Sequence, residues 1–289
     1  MENVHGLFDE VVEKIGLPED KRIGVRTGFS MLDKKMRGLL QDKLYVFAAR
    51  PGCGKTSFAT SIMANMALYS SNVSCIMFST EASEVEVLMQ MTEAYSGGTP
   101  FYPNDRTSTA SEIERLQTAA ADLRIHSSLG FLRILYRKKL TMDFIKKEVE
   151  MYCEEQGAAA VVVIDQVNRI RRTDKDRHGY AIATEQLVND LEELGTEVQC
   201  PLLCFSQMNR SADGVRPTLA GIKHSGAFEE FAPVVLLAEL CEGHGQRDIS
   251  TGLIRTDATI HVAKNRHGPV GPVPFKFFGE SHTWREAAL

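Results

Sequence analysis

The sequence is short of positive charge: its 289 residues include 33 Lys and Arg against 38 Asp and Glu, a formal net charge of -5. The molecule as a whole is no polycation, and composition argues weakly against DNA. Any contact with nucleic acid must run through local basic loops lining a groove or channel. No apolar run reaches the length of about 18 residues needed to span a bilayer, and no signal-peptide pattern opens the chain, so no membrane role is expected. No C-x-x-C pair occurs among Cys53, Cys75, Cys153, Cys200, Cys204 and Cys241, which lie mostly inside apolar runs. Zinc-knuckle spacing is absent, and buried, reduced thiols in a cytoplasmic setting are expected. Repeats and Pro- or Ser-rich linkers are missing too, which argues for one main domain.

With 43% apolar residues the chain can bury a full core. In the leader, residues 1–23, Leu7, Phe8, Val11, Val12 and Ile15 recur at helical spacing before Gly16 and Pro18 end the run. This stripe either packs on its own core or docks on a neighbouring subunit. From residue 24 strands and helices alternate. Strands are expected at 44–49, 73–79, 160–164, 202–206 and 234–240, with helices at 55–69, after the Ser83/Glu86 capping box, and near 111–123, 141–156 and 180–198. Segments 259–263 and 273–278 read as an antiparallel pair around His267-Gly268-Pro269. The stretch on either side of the 111–123 helix, from 97 to 134, reads as irregular. Unbroken apolar strands alternating with helices predict a mostly parallel α/β sheet covered on both faces.

Ala49-Arg50-Pro51-Gly52-Cys53-Gly54-Lys55-Thr56 follows a predicted strand and opens a predicted helix, the context a phosphate-binding loop requires. Backbone N–H groups of such a loop point at phosphate oxygens. Gly52, Cys53, Gly54, Lys55, Thr56 and Ser57 are the candidate nucleotide contacts. Lys55 is placed on the β- and γ-phosphates of ATP, and the Thr56 hydroxyl on Mg²⁺. Val161-Val162-Val163-Ile164-Asp165 is a buried run ending in a carboxylate, so Asp165 is the second candidate for holding Mg²⁺. The next residue, Gln166, cannot accept a proton. Glu81, just past the strand ending at Ser79, is the candidate general base instead. Gln207, at the end of another buried strand, is placed to sense the γ-phosphate.

These pieces together resemble the C-terminal motor domain of DnaB-type replicative helicases, from about Gly24 to Trp284. Gly28-Phe29-Ser30-Met31-Leu32-Asp33 is similar to the family's entry segment, and Ala49–Thr56, Phe78–Glu81, Val163–Asp165 and Ser206–Arg210 match its nucleotide-site motifs in order. The resemblance implies a RecA-like P-loop ATPase core with an antiparallel hairpin near the C-terminus. It also implies a homo-hexameric ring that moves along single-stranded DNA and opens a duplex, with a primase or helicase loader as possible partners. Glu81 falls on the family's catalytic base. Lys264-Asn265-Arg266-His267-Gly268-Pro269 resembles the family's hairpin, which makes Lys264 and Arg266 fingers reaching ATP on the next subunit. DNA contacts are implied for Arg171 and Arg172 in the 169–177 loop, for Arg210, and for Lys223, His224 and Gly226 in the segment matching R-E-S-G.

The chain departs from the family pattern in places. His224 stands where the family has an acidic residue, and 227–231 is more apolar than usual. About two dozen residues precede the motor region, so the family's N-terminal helical domain is not expected, and the leader is a candidate for the part of its linker helix. The Lys264-Asn265-Arg266 string is also similar to one in RadA-type recombination ATPases, a rival reading. An ATP-switched scaffold on the same fold is a third.

Overall fold

The computed structural model describes residues 12, 16, 24–69, 74–102, 108–157, 161–171, 180–209, 216–222, 225–241, 245–248 and 252–287. Nearly all of the leader, with Leu7, Phe8, Val11 and Ile15, lies outside them. The elements in chain order are α1 (Ser30–Met36), β1 (Leu44–Ala49), α2 (Lys55–Tyr69), β2 (Cys75–Ser79), α3 (Glu84–Tyr95) and α4 (Ala110–Ser128). Then come β3 (Leu132–Tyr136), α5 (Met142–Gln156), β4 (Val161–Asp165), α6 (Tyr180–Val198), β5 (Leu202–Gln207) and α7 (Ser225–Phe231). The chain closes with β6 (Val234–Leu240), β7 (Gln246–Arg247), β8 (Ile254–Asn265), β9 (Gly271–Phe278) and β10 (Thr283–Glu286). One sheet holds every described strand in the order β10-β9-β8-β6-β1-β5-β4-β2-β3, with β7 paired to β8. From β6 to β3 neighbours are parallel, and from β6 to β10 they are antiparallel.

The unbroken apolar strands are buried on both faces. Tyr45, Phe47, Met77, Val163 and Phe205 face a core completed by α2, α3 and α4. Val46, Ile76, Phe78, Val162 and Ile164 face a second core under α5, α6 and α7. Phe228 of α7 is fully buried there, which accounts for the apolar character of 227–231. Helix starts follow local chemistry. Ser83 and Glu86 form the expected capping box, with the Ser83 N–H donating to Glu86 Oε2 at 2.7 Å. A second box, Thr109 with Glu112, starts α4 one residue before the expected position.

Five of the described helices and strands were not expected: α1, β3, α7, β7 and β10. β3 occupies part of the stretch read as irregular; its burial is intermediate after Leu132, as befits the strand at the sheet's edge. α1 is a two-turn helix whose N-terminal Met31 and Leu32 N–H groups donate to the Glu286 carboxylate at 3.0 and 2.9 Å. β10, which carries Glu286, is held by an aromatic cluster in which Trp284 packs edge-on against Phe58 and Phe275. Each fully buried ring contributes about 1.5–3 kcal/mol by transfer from water. All six cysteines are free. Cys75, Cys200 and Cys204 are buried as expected, Cys53 and Cys153 are half-buried, and Cys241, just past the end of β6, is exposed. No helix among the described residues is long and apolar enough to cross a membrane.

Candidate functional site

β1 ends at Ala49, residues 50–54 form the loop, and α2 begins at Lys55. Gly52 and Gly54 take φ of 76° and 66°, left-handed values that a side chain resists. At Gly54 space is short as well. An added Cβ would stand 2.8 Å from two ring atoms of Phe277 and 3.0 Å from Trp284 Nε1. Trp284 donates its indole N–H to the Gly54 carbonyl at 3.0 Å and its backbone N–H to Ser61 Oγ at 3.1 Å, so β10 buttresses the loop. Gly54→Ala is expected to lower the unfolding free energy by about 1–3 kcal/mol, through overpacking and left-handed strain together. A denaturant midpoint equal to that of the unaltered chain would show that Phe277 yields freely.

The parallel register sets Asp165 beside Ser79 of β2 and Phe205 of β5, at the sheet's carboxyl edge. Asp165 is fully buried and accepts a hydrogen bond from the Thr56 hydroxyl at 2.6 Å. Burial raises its carboxyl above the usual range, opposed by the Thr56 hydrogen bond and by Lys55. Its other oxygen, Oδ1, is buried with no protein partner. A buried carboxylate with one open oxygen beside a hydroxyl is a donor set that suits a hard, oxygen-seeking cation, so these residues fit Mg²⁺. Lys55 is 8% exposed. Burial lowers its ammonium from the ordinary value, and the Asp165 and Glu81 carboxylates partly restore it. Lys55, Thr56, Asp165 and Glu81 thus share one electrostatic neighbourhood.

Glu81 follows β2 and is exposed. Both its oxygens are held: Gln166 Nε2 donates to Oε2 at 2.8 Å, and the Arg169 guanidinium pairs with Oε1. Gln166 is anchored in turn by its own N–H, which donates to Thr80 Oγ1 at 3.1 Å. Gln207 lies opposite Ala49 in the β1–β5 register, at the mouth of the loop. Its N–H donates to Asn168 Oδ1 at 3.0 Å, and Ser206 Oγ donates to the same atom at 2.8 Å. Gln166, Asn168 and Arg169, none of them singled out as site residues, connect the turn after β4 to Glu81 and Gln207. Their sequence signal was their place directly after a buried strand ending in Asp, with Arg169 opening the 169–177 loop.

Lys264 and Arg266 lie apart from this group. Lys264 Nζ donates to the Glu229 and Glu230 carbonyls at 2.6 and 3.0 Å, and Arg266 Nη2 donates to the Glu230 carbonyl at 2.9 Å. Both cations therefore rest on the C-terminal end of their own α7, where the helix dipole favours positive charge. Of the residues expected to meet DNA, Arg171 and Gly226 are described and exposed. Arg172, Arg210, Lys223 and His224 lie outside the described residues.

The geometry offers a cradle for phosphates, oxygen donors for a divalent cation, and a carboxylate within reach of both. A family model for the DnaB-like helicase C terminal domain matches residues 24–286. The chain is 28% identical over 297 residues to the replicative DNA helicase DnaB of Buchnera aphidicola subsp. Acyrthosiphon pisum, which covers 96% of this chain and 60% of that protein. It is 28% identical over 262 residues to the DnaB of Geobacillus stearothermophilus, covering 89% and 55%. The chain spans about 60% of the length of the curated relatives it matches most fully. In fold it is similar to a DnaB-like replicative helicase solved with its interactions with primase in view (TM-score 0.82, 20% identity, 99% of this chain and 68% of that one). It is equally similar to a second solved chain, an ATPase domain on its own (TM-score 0.82, 20% identity, all of both chains). The mostly parallel sheet with helices on both faces and an antiparallel C-terminal hairpin agrees with the RecA-like fold expected from the sequence. With the sequence match running from Gly24 to Glu286, the chain belongs to the DnaB-like helicase C-terminal domain family.

Proposed function

We propose that this chain is an ATP-hydrolysing DNA helicase motor that moves along single-stranded DNA as a homo-hexameric ring and opens the duplex at a replication fork. The observation that carries the reading is the convergence of Lys55, Thr56, Asp165 and Glu81 at one sheet edge, within a chain of the DnaB-like family. Residues 24–289 serve as the motor, with 1–23 as a leader that packs on its own core or on a neighbouring subunit. The setting is the reducing cytoplasm, and a primase or loader is a fitting partner, as one structural neighbour was studied with primase. The family match does not favour a recombination ATPase or a switched scaffold.

In this reading the loop N–H groups and Lys55 hold the triphosphate, and Thr56 and Asp165 hold Mg²⁺. The metal supplies charge neutralisation on the phosphate oxygens. Glu81 takes the proton from the attacking water. Arg169 and Gln166 occupy both Glu81 oxygens in the single chain, so Glu81 must shed a partner before it can accept that proton. Arg169 opens the loop that carries Arg171, and DNA phosphates on that loop compete with Glu81 for the guanidinium. Hydrolysis is thereby tied to an occupied DNA track. Gln207, joined to the same turn through Asn168, senses the γ-phosphate.

The direct test is unwinding of a forked duplex by the purified chain with ATP and Mg²⁺, with Glu81→Gln as the blank. Strand separation that disappears in the variant is the expected result. Hydrolysis of ATP over a closed fork would remove the helicase assignment for the chain acting alone.

A further inference from the structure

The turn between β3 and α5 reads Arg137-Lys138-Lys139, and the nucleotide site makes no use of it. All three side chains are exposed, while the next residue, Leu140, is fully buried and pins the turn to the core. The Arg137 N–H donates to the Ser79 carbonyl at 2.8 Å, and its guanidinium lies over the Phe144 ring, 4.0 Å from the centroid. This turn is joined to the loop after β4. The Arg171 N–H donates to the Leu140 carbonyl at 2.8 Å, and Thr141 pairs with Arg171 in a parallel bridge. Arg137, Lys138, Lys139 and Arg171 thus form one ridge at the carboxyl edge of the sheet.

Among the described residues none of these four cations has a carboxylate partner, unlike Arg169, Arg133 and Lys146. Among the described residues, two acids lie near the turn in sequence or contact. Glu84 is occupied by the Tyr136 N–H at 2.9 Å, and Asp143 sits exposed in the first turn of α5. On a chain of net charge -5, four cations on one ridge with no carboxylate partner among the described residues favour a ligand with repeated negative charge. Protein partners dock through a buried apolar or aromatic anchor. Here Arg137 covers Phe144 and Leu140 is fully buried, so the ridge offers charge without such an anchor. A phosphodiester backbone needs none.

We propose that Arg137, Lys138 and Lys139 extend the DNA track of the 169–171 loop, gripping further phosphates of the strand with no base preference. The proposal rests on the single-stranded DNA reading given above. The test is binding of a fluorescent oligothymidylate to the full chain across a salt series. The triple variant Arg137→Ala/Lys138→Ala/Lys139→Ala is expected to bind more weakly, with the slope of log K against log salt reduced by about 0.7 per lost phosphate contact, or up to about 2. Lys138→Arg/Lys139→Arg should keep the slope of the unaltered chain, which separates lost charge from a damaged fold. An unchanged slope in the triple variant, beside a reduced one in Arg171→Ala, would overturn the extension and leave the DNA reading standing. An unaltered chain that binds ATP but no oligonucleotide would overturn both. Equal binding of poly-glutamate at the same salt, lost in the triple variant, would make the ridge a general acidic-surface dock and overturn its assignment to DNA.

Discussion

Glu81→Gln keeps ATP binding and lowers turnover by about 10²–10⁴-fold, the span expected when a positioned proton acceptor is lost. The exchange preserves shape and removes only basicity. An amide at this place still accepts from Gln166 or Arg169, so the local hydrogen bonds survive in part. Because the Arg169–Glu81 pair is substantially exposed, its loss has little effect on folding. Lys55, Thr56 and Asp165, the groups proposed to hold the nucleotide, are untouched. Single-turnover hydrolysis set beside binding of a fluorescent ATP analogue separates the two effects. Turnover close to that of the unaltered protein would take the base assignment away from Glu81.

Arg266→Ala is expected to suppress hydrolysis in the assembled ring by about 10³–10⁵-fold, the effect of removing a guanidinium that stabilises charge on a transferring phosphoryl group. Each subunit should still bind nucleotide, since Arg266 hydrogen-bonds to the end of α7 and not to the phosphate loop of its own chain. Loss of that capping contact also loosens α7, so a melting curve must accompany the assay. Mixing is the sharper measurement. A ring assembled from Glu81→Gln and Arg266→Ala subunits contains interfaces in which an intact Glu81 meets an intact Arg266 from its neighbour. Activity should return in the mixture although each variant alone is inactive. A mixture as inactive as its components would refute action across the interface.

Much of the local structure around the candidate site was legible because its signals are local. An unbroken apolar strand ending in a Gly-rich loop and Lys-Thr, or in Asp, carries its chemistry within a few residues, and strand and helix edges agreed closely there. The capping box at Ser83 was legible for the same reason. β3 and β10 were not. β3 sits at the sheet's edge and lacks the doubly buried pattern that marks a central strand, and β10 is short and held by Phe58, more than two hundred residues earlier. Lys264 and Arg266, the proposed fingers, illustrate the limit most clearly. Their sequence resembles a hairpin that reaches outward, and in the single chain both cations turn back onto α7.

By itself, then, the sequence determined the α/β class, the Gly-rich turn between β1 and α2, the strand ending in Asp165 and the place of Glu81 just past β2, because backbone preference and burial pattern act between near neighbours. Only the tertiary structure decided that Arg169 and Gln166 hold Glu81, that Trp284 supports Gly54, and that the 137–139 turn adjoins Arg171. Those contacts depend on strand order and on which loops emerge at the same sheet edge. Periodicity records the face a residue presents and carries no information about which distant segment will lie against it.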